Sequence, residues 1–262
     1  MPRVLVVGAM GRMGERVRVA ISEAPKLELG AALEAPGHPG IGNPIANGIE
    51  ISDDPKAALS QCEVAIDFTT PEATLQVMRA AADAGVAYVC GTTGFSDAQR
   101  AEIGDLAARI PIVHAPNFSV SVNILSWLIR EAARKLGSGY DAELVEIHHS
   151  DKRDAPSGTA LHLAEAVAAG RGQKLADHLV LERAGDIGAR PEDAIGIQTL
   201  RAGDIAGEHT VMFVGQGERL ELIHRASTRD HFARGAVRTA DWLVGRDPAL
   251  YPIQRVFGLE TD

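Results

Sequence analysis

The chain reads as a two-domain α/β protein: a mainly parallel sheet interleaved with helices, then a second α+β domain with an open mixed sheet. Three observations predict this. The N-terminus runs from a β-branched strand through a glycine turn into a helix; apolar strand runs alternate with helical patterns as far as His114; and beyond Phe118 the pattern changes to a long helix and closely spaced strands.

Val4 to Val7 is a continuous apolar run of the kind that fills a buried parallel strand, and it leads directly into Gly8, Ala9, Met10, Gly11, Arg12, Met13 and Gly14. A helix from about Arg12 places Val17, Ala20 and Ile21 on one face and ends before Pro25. Leu27 to Leu33 reads as the next strand, with Glu34 at its end. Such a βαβ unit suits a Rossmann-like dinucleotide site. Glycines let the backbone approach a pyrophosphate at the helix N-terminus, and a carboxylate about 20 residues on takes the adenosine ribose hydroxyls. Glu34 stands 20 residues after Gly14, although the GxxGxxG spacing also suits any tight glycine turn of an α/β protein.

Ala35 to Asn47, rich in Gly, Pro and Asn, reads as a loop. A short strand at Ile49 to Ile51, a short helix at Ala57 to Leu59 and a buried strand at Val64 to Phe68 follow. Thr69 to Glu72 opens a helix that runs to Gly85, and Val86 to Cys90 is the next strand, ending in Gly91, Thr92, Thr93 and Gly94. Ligands of open α/β sheets sit outside the carboxyl ends of the strands, so both loops are expected at the cofactor, with Gly91 and Thr92 along the nicotinamide ribose. A helix from about Asp97 to Arg109 and a strand at Ile112 to His114 lead to Ala115, Pro116, Asn117 and Phe118. Asn117 suits either a hydrogen bond to a nicotinamide amide or an Asx turn.

The second domain opens with a helix from about Val122 to Leu136. A strand from Ala142 to Ile147 then delivers His148 and His149 to its end without a parallel partner waiting. Adjacent strand residues point to opposite faces, so the two histidines are not expected to chelate one metal. A helix beginning near Ser157, capped by Asp154 or Ser157 with Pro156 in its first turn, runs to Gly170 as C′ residue. Its N-terminus, with bare N–H groups at Gly158 and Thr159, suits a carboxylate. Lys152, partly desolvated among other cations, suits a proton donor near neutral pH. The bland alternative is a solvated polar loop that caps a strand. Ile195 to Arg201, Glu208 to Val214 and Arg219 to Ala226 read as an antiparallel-type meander, the last two joined by a hairpin at Gly215 to Gly217. Asp230 to Val244 is an amphipathic helix with Phe232, Ala236, Val237, Ala240 and Leu243 inward, expected to return to the first domain as a final crossover.

With 262 residues, 45% hydrophobic, two ordinary domains with real cores are expected. A net charge of −9 with no basic run argues against nucleic acid and anionic membrane as partners. Cys62 and Cys90, outside any CxxC, argue against structural zinc and suit a reducing cytoplasm. No signal peptide or stretch long enough to span a bilayer is read.

Taken together, Gly8 to Gly14, Ala31 to Glu34, Gly91 to Phe95, Ala115 to Ser119, Glu146 to Lys152, Asp154 to Thr159 and Arg201 to His209 resemble, nearly end to end and in order, the dihydrodipicolinate reductase family of the lysine and diaminopimelate pathway. The resemblance implies NADH- or NADPH-dependent reduction of a cyclic amino dicarboxylate, (2S,4S)-4-hydroxy-2,3,4,5-tetrahydrodipicolinate, to tetrahydrodipicolinate with loss of water. It implies His148 as general acid/base, Lys152 as proton donor, and His149, Gly158 and Thr159 as substrate carboxylate contacts. Cofactor contacts are implied at Gly8, Ala9, Met10, Gly11, Arg12, Met13, Glu34, Gly91, Thr92, Thr93, Ala115, Pro116, Asn117 and Phe118. It further implies a homotetramer built through the second domain, a nucleotide domain of residues 1–119 and 229–262, a substrate domain of 120–228, and hinges near Ser119 and Arg229.

Two departures from the family stand out. Ala35 follows the acid where some relatives carry a base for the 2′-phosphate of NADP, which leaves Arg12 as the local cation; NADH is therefore expected to serve at least as well as NADPH. Ser121 stands where glycine is common. Rival readings are another two-domain dehydrogenase acting on an aldehyde or sugar, which has no need of the His148 to Thr159 segment, and a nucleotide-sensing regulator, which has no need of intact His148 and Lys152.

Overall fold

The computed structural model describes residues 1–46 and 48–259. Asn47, the last residue of the expected loop, and the last three residues of the expected segment 229–262 lie outside them. The chain forms two compact units, one from residues 1–120 with the segment from Asp230 onward, the other Ser121–Arg229.

In the first unit, β1 (Arg3–Val7), α1 (Arg12–Ser22), β2 (Glu28–Leu33), β3 (Pro44–Ala46), β4 (Ile49–Ser52), α2 (Pro55–Leu59), β5 (Val64–Asp67), α3 (Pro71–Ala84), β6 (Ala87–Cys90), α4 (Asp97–Ala107) and β7 (Pro111–His114) follow in order. In the second unit come α5 (Val120–Leu136), β8 (Asp141–His148), α6 (Gly158–Arg171), α7 (Leu175–His178), β9 (Leu179–Val180), β10 (Ile195–Arg201), β11 (Gly207–Val214) and β12 (Arg219–Ala226). The first unit then closes with α8 (Asp230–Leu243), β13 (Ala249–Leu250) and α9 (Ile253–Val256).

The sheet of the first unit has the order β13-β7-β6-β5-β1-β2-β4-β3, parallel throughout except for β3 against β4. Successive residues of β1 serve its two faces. Val4 and Val6 pack with α1 and α8, and Leu5 and Val7 with α3 and α4, in two fully buried layers. The direction of winding reverses between β1 and β5, the position at which α/β sheets bind ligands beyond their strand ends. The α8 helix does return to this sheet as a crossover, to β13 beside β7. Phe232, expected inward, is only half-buried, while Ala233 faces the core.

Four expectations are corrected. The Gly- and Pro-rich stretch after Glu34 is not all loop: Pro44–Ala46 pairs with β4 as an edge strand, where proline is tolerated because no partner needs its missing N–H. The strands after α6 are not a meander. β10 returns parallel to β8, and β11 lies antiparallel on β8's other side, so β8, which does acquire a parallel partner, is the central strand of the order β12-β11-β8-β10-β9. Pro156 precedes the cap of α6 instead of entering its first turn. That helix ends at Gly172, left-handed at φ 69°, and not at Gly170, whose missing side chain lets α6 approach the Arg130 carbonyl of α5.

One close contact fixes α8 on its sheet. A Cβ at Gly235 would lie 1.7 Å from the Phe118 carbonyl oxygen, which is backbone and has no freedom to retreat. Gly235→Ala is therefore expected to destabilise the protein by on the order of 3 kcal/mol in urea denaturation, and a variant within 0.5 kcal/mol of wild type, about the effect of a surface substitution, would contradict this packing.

Candidate active site

The inner face of the second unit's sheet turns polar at one end. Along β8 the buried residues Ala142, Leu144, Glu146 and His148 alternate with half-buried ones, so the last two share a face with the apolar core. Register sets Thr199 opposite Glu146 and Arg201 opposite His148 on β10, and His209 opposite Glu146 on β11. The result is a cluster of polar side chains beneath the loop that carries Lys152.

Glu146 is its hub, fully buried. Its Oε2 lies 2.5 Å from His148 Nδ1, and its Oε1 accepts from the Ser157 N–H at 3.0 Å and the Thr199 hydroxyl at 3.2 Å. The Arg201 guanidinium donates to both oxygens at 2.9 Å and also reaches the Asp154 carbonyl at 2.7 Å. Burial pushes the Glu146 carboxyl up, but the bonds from Arg201, His148 and Ser157 outweigh it and hold it below the usual carboxylate range. Burial lowers the pKa of His148, with the Glu146 carboxylate pulling the other way.

The structure brings His148 and Lys152 together: the ammonium is close enough for its charge to oppose protonation of the imidazole. Beside the other cations expected around it, Lys152 also has a carboxylate: its Nζ lies 2.9 Å from that of Asp154, which it holds below the usual range. His149 points away from His148, and its Nε2 accepts from Arg229 at 3.2 Å. Ser157 caps α6 through the Ala160 N–H. The N–H of Ser157 itself, one residue before the expected amides of Gly158 and Thr159, is given to Glu146. Gly158 is exposed and Thr159 half-buried in the first turn.

Three of these residues carried no role in the sequence reading. Glu146 had a legible signal, since an acid two residues before a strand histidine shares its face. Arg201 and His209 enter only through strand register, which the sequence did not reveal.

In the first unit, Gly8 adopts φ 67° and lies against Thr69, while a Cβ at Gly14 would meet the Gly8 carbonyl at 2.1 Å, so turn and helix pack as only glycine allows. No side chain caps α1, and the turn from Met10 to Arg12 is exposed, which suits a pyrophosphate on the first-turn amides. Glu34 sits beside this turn and accepts from the Met10 N–H at 2.7 Å. These residues fit a dinucleotide. The second set of cofactor positions fits through its backbone only. Thr92 bonds inward to Thr74 at 2.8 Å, Gly91 is crowded by the Phe68 ring, and Ala115 and Phe118 are core residues. Pro116 and Thr93 are exposed, and Asn117 makes the Asx turn, accepting from the Ser119 N–H at 2.8 Å. Beneath these loops the buried Asp67 accepts from the Tyr88 hydroxyl at 2.6 Å and from the Thr69 N–H and hydroxyl at 2.7 Å.

Acid sensitivity follows from His209. Burial, and then the charge of His148, push its pKa from an ordinary 6.5 down to about 4. The folded state thus binds fewer protons than the unfolded chain between those values, so the stability His209 contributes is complete above pH 6.5 and is lost as pH falls through 4. Unfolding free energies measured from pH 7 to pH 4 should fall, and His209→Gln should remove on the order of 3 kcal/mol of that fall. An undiminished fall in the variant would exclude His209 as its source.

Comparison with known proteins places the chain. Residues 2–118 match the family model described as dihydrodipicolinate reductase, N-terminus, and residues 121–257 the one described as dihydrodipicolinate reductase, C-terminus. A protein of Anaeromyxobacter dehalogenans named 4-hydroxy-tetrahydrodipicolinate reductase is 47% identical over 266 residues, which cover 99% of this chain and 98% of that one. One of the same name from Desulfotalea psychrophila is 49% identical over 267 residues, 99% of each chain. The solved structure of dipicolinate-bound dihydrodipicolinate reductase from Paenisporosarcina sp. TG-14 shares the fold at a TM-score of 0.80 and 24% identity, covering 96% of this chain and 97% of that one. The chain belongs to the dihydrodipicolinate reductase family.

Proposed function

We propose that the protein is an oxidoreductase that reduces (2S,4S)-4-hydroxy-2,3,4,5-tetrahydrodipicolinate to tetrahydrodipicolinate with loss of water, in the lysine and diaminopimelate pathway of the cytoplasm. The observation that carries this reading is the grouping of His148, Lys152 and the α6 N-terminus around a buried carboxylate, in a chain nearly half identical to reductases of that name.

A reduced nicotinamide, held by Gly8 to Met13 and Glu34 with backbone contacts from Gly91 to Thr93 and Ala115 to Phe118, supplies the hydride. The protein's part is to bind the dianion and manage protons. Gly158 and Thr159 present a helix N-terminus to one carboxylate, and His149 is a further carboxylate contact. His148 is the general acid/base for loss of the hydroxyl as water. Hydride addition to the conjugated imine builds electron density, which Lys152 neutralises by giving a proton from Nζ. One hydride and one proton enter and one water leaves.

Ala35 offers no positive charge to a 2′-phosphate, so NADH is used at least as well as NADPH. The protein assembles as a homotetramer through the open face of the second unit's sheet, where Val145, Ile147, Leu200, Met212 and Ile223 form an apolar centre flanked by charged residues, and Leu200 and Ile223 are 45% and 43% exposed.

Two measurements test this reading. Lys152→Ala should lower kcat on the preceding synthase's product by two to three orders of magnitude and leave the Kd for cofactor, read by fluorescence titration, within about twofold; near-normal turnover would remove Lys152 from the mechanism. Steady-state kinetics should give NADH a kcat/KM at or above that of NADPH, and a preference of about a hundredfold for NADPH would refute the argument from Ala35, since that ratio corresponds to about 2.7 kcal/mol of phosphate recognition.

A further inference from the structure

The proposed reaction needs a proton-transfer atom at His148 but does not say which ring nitrogen serves, nor why the sheet buries a carboxylate beneath it. Every other partner of Glu146 can only give a hydrogen bond to it: the Arg201 guanidinium, the Ser157 N–H, and the Thr199 hydroxyl at 3.2 Å. These donors come from β10 and from the α6 cap, and Glu146 itself stands on the central strand, so the carboxylate is held from three elements. Its Oε2 meets Nδ1 of His148 at 2.5 Å. The ring is fixed on another side too. His209 lies edge-on to it with centroids 5.2 Å apart, while Gly207 leaves room at Nε2, since a Cβ there would come within 2.9 Å of that nitrogen.

We propose that Glu146 is the positioning residue of His148: its carboxylate, locked by Arg201, takes the Nδ1 proton, sets the tautomer and plane of the imidazole, and leaves Nε2 as the atom that exchanges a proton with substrate. This rests on the reductase reading for the meaning of the exchange, but the tautomer itself is a property of the protein alone. Around the pair, Arg201 faces it from β10, Lys152 from the turn after β8 and His209 from β11; beyond them Asp154 lies against Lys152 and Arg201, and His224 of β12 against His209. Arg201 and Lys152 disfavour the imidazolium, and Glu146 favours it.

Glu146→Gln tests this because the amide can satisfy the Ser157 N–H, the Thr199 hydroxyl and one arm of Arg201 only with its oxygen in the Oε1 position, which turns its NH2 group toward Nδ1 and the other arm of the guanidinium. His148 must then accept at Nδ1 and carry its proton on Nε2. The expected result, in nitrogen-15 spectra of the whole labelled protein with His148 assigned through His148→Asn, is an Nδ1–H tautomer in wild type and an Nε2–H tautomer in Glu146→Gln. The variant should also lose on the order of a hundredfold or more in kcat with little change in KM, the usual scale for a histidine held in the wrong tautomer. A folded variant that keeps the Nδ1–H form, or keeps kcat within threefold, would overturn the assignment.

Arg201→Gln gives an independent arm should Glu146→Gln not fold. It removes a repelling cation and leaves the carboxylate, so the titration midpoint of His148 should rise in that variant and fall in Glu146→Gln. A residue needed only for packing would not move the two midpoints in opposite directions, and an Arg201→Gln midpoint that stays or falls sinks the proposal. The spectra require no substrate, so an inactive wild type would count against the reductase reading and not against the positioning role.

Discussion

The second unit depends on one carboxylate that water cannot reach. Burying an ion costs several kcal/mol unless its oxygens are saturated with donors, and removing a partner of such a group costs more than the pair contributes. Glu146 meets that demand with a bidentate guanidinium, an imidazole, a backbone N–H and a hydroxyl, drawn from β8, β10 and the start of α6. Those elements are 55 residues apart at most along the chain, and only one register of β10 against β8 brings Arg201 and Thr199 to the carboxylate. A slip of one residue would turn both to the other face, so the hydrogen-bonding demand of a single buried charge reinforces the register that the apolar pattern sets.

The first unit buries a carboxylate as well, with the opposite electrostatic outcome. Asp67 at the end of β5 accepts from Tyr88 and Thr69, neutral donors only, and burial pushes its carboxyl above the ordinary range. Glu146, with a guanidinium on both oxygens, is held below it. Burial is the first cause at both sites; the cation decides the sign. The contrast matches what surrounds each. Asp67 braces the Thr69 turn beneath a loop read as a cofactor support, where its work is to accept hydrogen bonds from neutral donors. Glu146 must stay ionised to govern an imidazole.

The parallel sheet was legible because each strand and helix of the first unit carries its own signal: β-branched runs, the glycine turn, an acid at the end of β2, and the residues that start or stop helices. What escaped was short or non-local. Pro44–Ala46 is too brief and too rich in breakers to look like a strand without β4 beside it, and β13 has two residues. The placement of β10 could not be read from its neighbours in sequence, because the apolar alternation of β10, β11 and β12 is equally compatible with a meander. The site followed the same division. His148, Lys152, Gly158 and Thr159 lie within twelve residues and declared themselves together, whereas Arg201 and His209 join them only after the sheet has formed.

Rigidity is distributed unevenly across this site, and the distribution suits the roles proposed for its two proton carriers. His148 ends the central strand, clamped by Glu146, flanked by His209, with 11% of its side chain exposed. Lys152 sits on the turn that follows, closed by the Lys152 N–H on the His149 carbonyl, and the carboxylate it pairs with, Asp154, is itself largely exposed. An acid/base whose ring plane and tautomer matter gains from a strand end, where side-chain position is set by the sheet. A lysine proposed to give up a proton gains from an exposed carboxylate beside it, which steadies the ammonium on the side where solvent can restore the proton. The buried carboxylate and the exposed one thus divide the work, Glu146 fixing a direction and Asp154 holding a charge within reach of water.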